Sequence, residues 1–167
     1  DDAQRCYEQL KKSGFSVSPV QNLTRQAEFE GNAVLVEFKT VRFIEQPVPG
    51  LRIYFCEHLT PNFLWFDEVL QHPNLSNHLS EITLETNLLE ETSATLMKLL
   101  NLSASDIQSS QDMHMFVLPN CKISIQKNLE LRSTKIKSVS IHRQLADKTQ
   151  DPIVKEITLT HHICDSV

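Results

Sequence analysis

The feature that most constrains this chain is a helical stretch followed by alternating apolar and polar segments, an arrangement that then recurs. Ala3, Cys6, Tyr7 and Leu10 recur at i, i+3, i+4 and i+7, and Gly14 ends the run. Asp1 and Asp2 precede it, a carboxylate N-cap at the positive end of the helix dipole. Residues 15–19 then read as a short strand, 21–30 as a polar loop, and 33–43 and 51–58 as alternating strands. Pro47, Pro49 and Gly50 make 44–50 a turn. A connector over 62–78 holds one helical piece near 62–71, and 79–86 alternates again. Asn87 and Glu90 have capping-box spacing ahead of a second helical stripe of Leu89, Leu96, Met97 and Leu100. After a polar stretch at 103–111, strands are predicted at 113–118, 121–127, 134–142 and 154–162, with a loop at 145–152 and a frayed tail at 163–167.

This order predicts an α+β fold. The second half reads as a βαβββ unit, and the first half as the same unit without its leading strand, since the chain begins on a helix. Similar units in tandem argue for a duplicated module. The expected division is a first module over 1–61, a connector over 62–78 and a second module over 79–167. In each half the apolar strand face can cover the helix. The opposite faces, carrying Arg52, Tyr54, Cys56 and His58 in one half and Glu81, Thr83 and Glu85 in the other, are too polar for a second sealed core. A curled, mostly antiparallel sheet around a cleft satisfies both faces.

Composition narrows the function. A net charge of −5 leaves no basic footprint for nucleic acid. No run approaches the roughly 18 apolar residues of a membrane span, and the start lacks a signal-peptide pattern. Cys6, Cys56, Cys121 and Cys164 fall singly, as reduced thiols of a cytoplasmic protein would. With 3 glycines in the chain, no phosphate-cradling loop is present.

The segment Phe55-Cys56-Glu57-His58-Leu59-Thr60-Pro61, followed by Leu64-Trp65 and then His72-Pro73-Asn74, resembles the glyoxalase-like branch of the vicinal oxygen chelate superfamily. Ser13-Gly14-Phe15, Pro19-Val20, Thr24-Arg25 and Ser80-Glu81-Ile82 extend the likeness on both sides, over about residues 1–102. The resemblance implies paired βαβββ modules forming a U-shaped sheet around a site, often with a divalent metal. The chain departs from the branch at Asn62, where an acid is usual, at Phe66, where an Arg is common, and at Leu75, where a Gly often follows. The leading strand that frequently supplies a metal-binding His is also missing from the pattern.

His58 and Glu81 are the expected metal ligands, an imidazole and a carboxylate suited to Zn, Fe, Mn or Ni. Glu81 is alternatively a catalytic base. Against this stands a structural reading in which His58 bonds the Thr60 turn and Glu81 pairs with Arg52. Arg25, Arg52, Tyr54 and Trp65 are candidate substrate-binding residues, Arg25 through a bidentate grip on a carboxylate. Trp65 suits a cleft wall or, more readily, an anchor for the connector, and Cys56 a small buried residue more than a thiol nucleophile. His72 suits a turn role. His161, His162 and Cys164 make a poor metal site, because adjacent residues on a strand face opposite ways.

Three functions follow. The first is a metal-dependent enzyme of lyase, isomerase or dioxygenase type, in which the metal polarises substrate oxygens. The second is a metal-free small-molecule binding module, favoured by the departures at Asn62, Phe66 and Leu75. The third is a structural domain that dimerises through an exposed sheet edge.

Overall fold

The computed structural model describes residues 2–145 and 153–160, the side chains of 143–145 and 153–160 excepted. The chain forms two compact units, Asp1–Pro47 with Arg52–Leu70, and Val48–Leu51 with Gln71–Val167. Its strands hydrogen-bond into two sheets, of 3 and 6 strands, and the class is α+β.

The first unit opens with helix α1 (Ala3–Lys12). Asp2 caps it by accepting from the backbone N–H of Gln4 and Arg5, and Lys11 and Lys12 close its last turn. Gly14, at φ +85°, turns the chain out of the helix. The predicted strand at 15–19 is reduced to a single bridge, Val17 to Phe43. The predicted loop at 21–30 is instead strand β1 (Gln21–Phe29), paired along its length with β2 (Asn32–Arg42). The loop reading failed because β1 is exposed over most of both faces and so lacks apolar alternation. Glu30 and Gly31, at φ 52° and 74°, make the two-residue hairpin whose positive dihedrals match strand twist. Strand β3 (Tyr54–His58) pairs antiparallel on the other side of β2.

Because side chains alternate, the sheet has two distinct faces. Val41 and Phe55, a register pair, lie on the face α1 covers, and Glu57 on that face accepts from the Ala3 N–H at 3.0 Å. Phe43 joins this core by an edge contact with Phe15 at 5.7 Å and a tilted one with Phe55 at 6.2 Å. Beyond β3 come a 3-10 turn (Pro61–Phe63) and the four-residue helix α2 (Asp67–Leu70). Phe63 and Phe66 from this segment pack on Phe29 at 5.4 and 5.2 Å. Phe66 therefore does a packing job where an arginine was the family expectation.

In the second unit, β4 (Ser76–Thr86) leads to α3 (Leu89–Leu100), then to β5 (Ile107–Ser109), β6 (Met113–Val117) and β7 (Lys122–Lys127). β7 returns parallel beside β4. β8 (Lys135–Leu145) and β9 (Ile153–Thr160) add antiparallel on the other side, giving the order β5-β6-β7-β4-β8-β9. The three-residue β5 lies in the stretch predicted to be loop. The predicted loop at 145–152 and the tail lie outside the described residues, apart from Leu145, and so do His161, His162 and Cys164. The core comprises Leu84, Leu89, Leu96, Leu99, Phe116 and Ile125.

The predicted cap of α3 is corrected. Leu88 occupies the N-cap position without a side-chain cap, and the Thr86 hydroxyl accepts from the Leu88 N–H instead. Asn101 ends the helix in the left-handed region, at φ 53°.

Glu85 on β4 lies between Lys135 and Lys137, and the Lys137 hydrogen bond holds its carboxyl below the ordinary glutamate range. A depressed carboxyl contributes stability above the unfolded pKa of about 4.3 and loses it as pH falls through the folded value. Lys137→Ala should therefore lower stability at pH 7 by about 1 kcal/mol or less, since the lysine is half exposed and screened. The deficit should shrink as pH falls through the folded value. Urea midpoints followed down that descent measure it, and a deficit that does not change with pH would contradict the assignment.

Candidate functional site

On the face of the first sheet opposite α1, period two brings Leu23 and Arg25 of β1, Phe38, Thr40 and Arg42 of β2, and Tyr54 and Cys56 of β3 to one side. The register sets Leu23 beside Phe38, Thr40 beside Cys56, and Arg42 beside Tyr54. The turn closes one end: Gln46 accepts from the Ile53 N–H at 2.6 Å, holding Arg52 and Ile53 at the rim. The result is a pocket of about 510 Å³ that Arg25, Arg52 and Tyr54 all line. Three of the four expected substrate-binding residues thus share one cavity.

The pocket's electrostatics are one-sided. Arg25, Arg42 and Arg52 line it and no Asp or Glu does. Among the described residues none of the three guanidinium groups has an ion-pair partner within 4.0 Å; Arg25 lies over the Phe38 ring, 5.8 Å from its centroid. Thr40, 1% exposed, has a hydroxyl with no hydrogen-bond partner. Cys56 is exposed, against the expectation of a buried residue, and partial desolvation pushes its thiol up, away from the reactive thiolate.

His58 ends β3 beside this pocket rather than within its lining. Its ring meets Phe38 edge-on at 5.0 Å and stacks on Trp65 at 5.9 Å. Its Nδ1 is buried and has no hydrogen-bond partner among the described residues, and the Thr60 hydroxyl accepts from the Glu37 N–H at 2.9 Å. Trp65 is 61% exposed, a partial lid on His58 rather than a buried anchor.

Glu81 belongs to the second unit, where it accepts a hydrogen bond from the Ser124 hydroxyl on β7. Its charge, after burial, helps raise the Cys121 thiol. No group of three or more His, Cys, Asp or Glu that could hold a metal ion occurs among the described residues. No helix among them is long and apolar enough to cross a membrane.

Sequence reasoning missed Thr40 and Arg42, though both keep the alternation of β2 and could have been found from it. It also missed Ser93 and His114. The Ser93 hydroxyl lies 2.8 Å from His114 Nδ1, and the Glu90 carboxylate lies 3.5 Å from His114 Nε2. This has the membership of a hydrolytic triad, but Ser93 is 2% exposed and no substrate carbonyl could reach it. It ties α3 to β6. A histidine pair, His78 and His142, stacks at 4.5 Å, with His142 Nδ1 2.9 Å from Asn77 Oδ1.

No family model matches the chain, and no curated protein matches it. The fold is similar to that of a crystal structure of a hypothetical protein from Staphylococcus aureus, with a TM-score of 0.59 at 12% identity. The similarity covers 83% of this chain and 53% of that one, so the chain spans about half the length of the structure it matches. At that identity the likeness concerns the fold alone.

Proposed function

We propose that the chain is a metal-free binding module that takes a small molecule in the pocket of its first unit. One observation carries this reading: Arg25, Arg52 and Tyr54 line the same cavity of about 510 Å³, within the size range of ligand pockets. The apolar wall of Leu23, Phe38, Phe43 and Ile53 supplies desolvation, and the polar groups supply orientation. The architecture we favour is two related modules. The order β4-α3-β5-β6-β7 supports a βαβββ unit, and α1-β1-β2-β3 the same unit without its first strand. A small-fragment screen followed by amide NMR tests the binding reading. Ligands should perturb Phe38, Thr40 and Tyr54 together, and Tyr54→Ala should weaken them about tenfold, the loss of roughly 1.4 kcal/mol of contact. A diverse set that never perturbs these residues would sink the reading.

The metal-dependent glyoxalase-like enzyme is the second reading, favoured by the buried, unpartnered Nδ1 of His58. Each donor by itself fits a metal poorly: His58 offers one nitrogen among aromatic neighbours, and the Glu81 carboxylate already accepts from the Ser124 hydroxyl. If this reading holds, purified protein carries roughly stoichiometric Zn, Fe, Mn or Ni that His58→Ala loses; protein that stays metal-free after reconstitution would exclude it. Dimerisation along the outer edge of β1 is a third reading, and a monomeric mass at high concentration would count against it.

A further inference from the structure

We infer that the pocket's ligand bears an oxyanion, a carboxylate or phosphate group, on an apolar or aromatic body. The inference rests on the binding reading above and assigns its ligand class. Its first support is charge: Arg25, Arg42 and Arg52 line one cavity with no acidic residue among the lining. In a chain of net charge −5, three arginines gathered without carboxylate partners among the described residues repel one another, and an anionic ligand removes that repulsion.

The second support is independent of charge. Thr40 is 1% exposed and its hydroxyl has no partner. A buried hydroxyl normally finds one, because its desolvation is uncompensated otherwise. Thr40 lines the pocket beside Cys56 and in the row next to Arg42 and Tyr54. A ligand oxygen at the pocket floor would accept from this hydroxyl while the guanidinium groups hold the same anion from the rim. Leu23, Phe38, Phe43 and Ile53 line the same pocket, so an apolar body has a wall to lie against.

The experiment titrates the full chain with three probes of one shape, benzoate, phenyl phosphate and neutral benzamide, by calorimetry or NMR at low and moderate salt. At least one anion should bind tenfold or more tighter than benzamide, and its affinity should fall with salt. Arg42→Gln and Arg52→Gln should each weaken that anion roughly tenfold, and benzamide by a clearly smaller factor. Thr40→Val should weaken it severalfold and Thr40→Ser should restore it, with amide spectra verifying that each variant is folded. Benzoate alone, phenyl phosphate alone, or both binding in this way identifies the group as carboxylate, phosphate or either. Benzamide binding as tightly as the anions, or arginine variants that leave anion affinity unchanged, overturns the oxyanion assignment while the pocket remains a binding site. If no probe binds but other fragments perturb Phe38, Thr40 and Tyr54, the assignment also falls. If no fragment perturbs them, the binding reading falls with it.

Discussion

Gly50→Ala should destabilise the second unit by about 2–6 kcal/mol, one of the largest losses a single methyl can cause in this chain. Gly50 sits at φ +89°, which L side chains rarely adopt. An added Cβ would run into the Thr134 carbonyl oxygen, well inside contact distance, and would lie 2.9 Å from the Ser133 hydroxyl. Neither obstacle moves freely. The turn is pinned by the Thr134 N–H donating to the Pro49 carbonyl at 2.9 Å, and Val48 beside it is 1% exposed. Backbone strain and overpacking therefore add rather than relieve each other. Urea unfolding reads the effect directly; a midpoint equal to that of the parent would mean that the turn does not approach residues 133–134 this closely.

Thr86→Val should cost about 2–5 kcal/mol although the two side chains are nearly the same size. Thr86 is fully buried, and its hydroxyl serves the Thr134 hydroxyl at 2.9 Å, the Leu88 N–H at 3.1 Å and the Thr92 hydroxyl at 3.2 Å. Valine fills the space and answers none of them. Thr92 and Thr134 are themselves buried, so water cannot replace the lost partner. Thr86→Ser, which keeps the oxygen and drops a methyl, should recover most of the loss. A valine variant as stable as the parent would show that these hydroxyls find other partners. Both this change and the one at Gly50 act on Thr134, so their energies should not add in the double variant.

Local signals in the sequence reached the elements they encode directly. Asp2 and Gly14 bracket α1 because capping and left-handed termination are properties of single residues. The alternation over 51–58 put Arg52, Tyr54, Cys56 and His58 on the polar side, and the first three of these line the pocket. Strand β1 escaped notice because both its faces are largely exposed, which erases the apolar period; Glu30-Gly31 was the cue that remained. The cap of α3 escaped because Thr86 acts from two residues ahead of Leu88, a spacing the capping-box pattern does not contain. Arg42 belongs with Tyr54 only through register, which no single strand reveals. The parallel return of β7 to β4 spans 43 residues between Glu81 and its hydrogen-bonded Ser124, and no periodicity reports such a pairing.

The membership of Val48–Leu51 in the second unit bears on how this chain can be taken apart. These four residues belong to the second unit, while the sequence on either side belongs to the first. A protease cut or a cloning boundary after Leu70 would carry Pro49 and Gly50 away from Thr134, leaving one piece with an uncovered Val48 and the other with an unpaired Thr134 N–H. Neither half is then a true excerpt of the whole. The chain should be inherited, expressed and transplanted as a single interleaved piece, with insertions tolerated at exposed turns such as Glu30-Gly31 and resisted at Val48–Leu51.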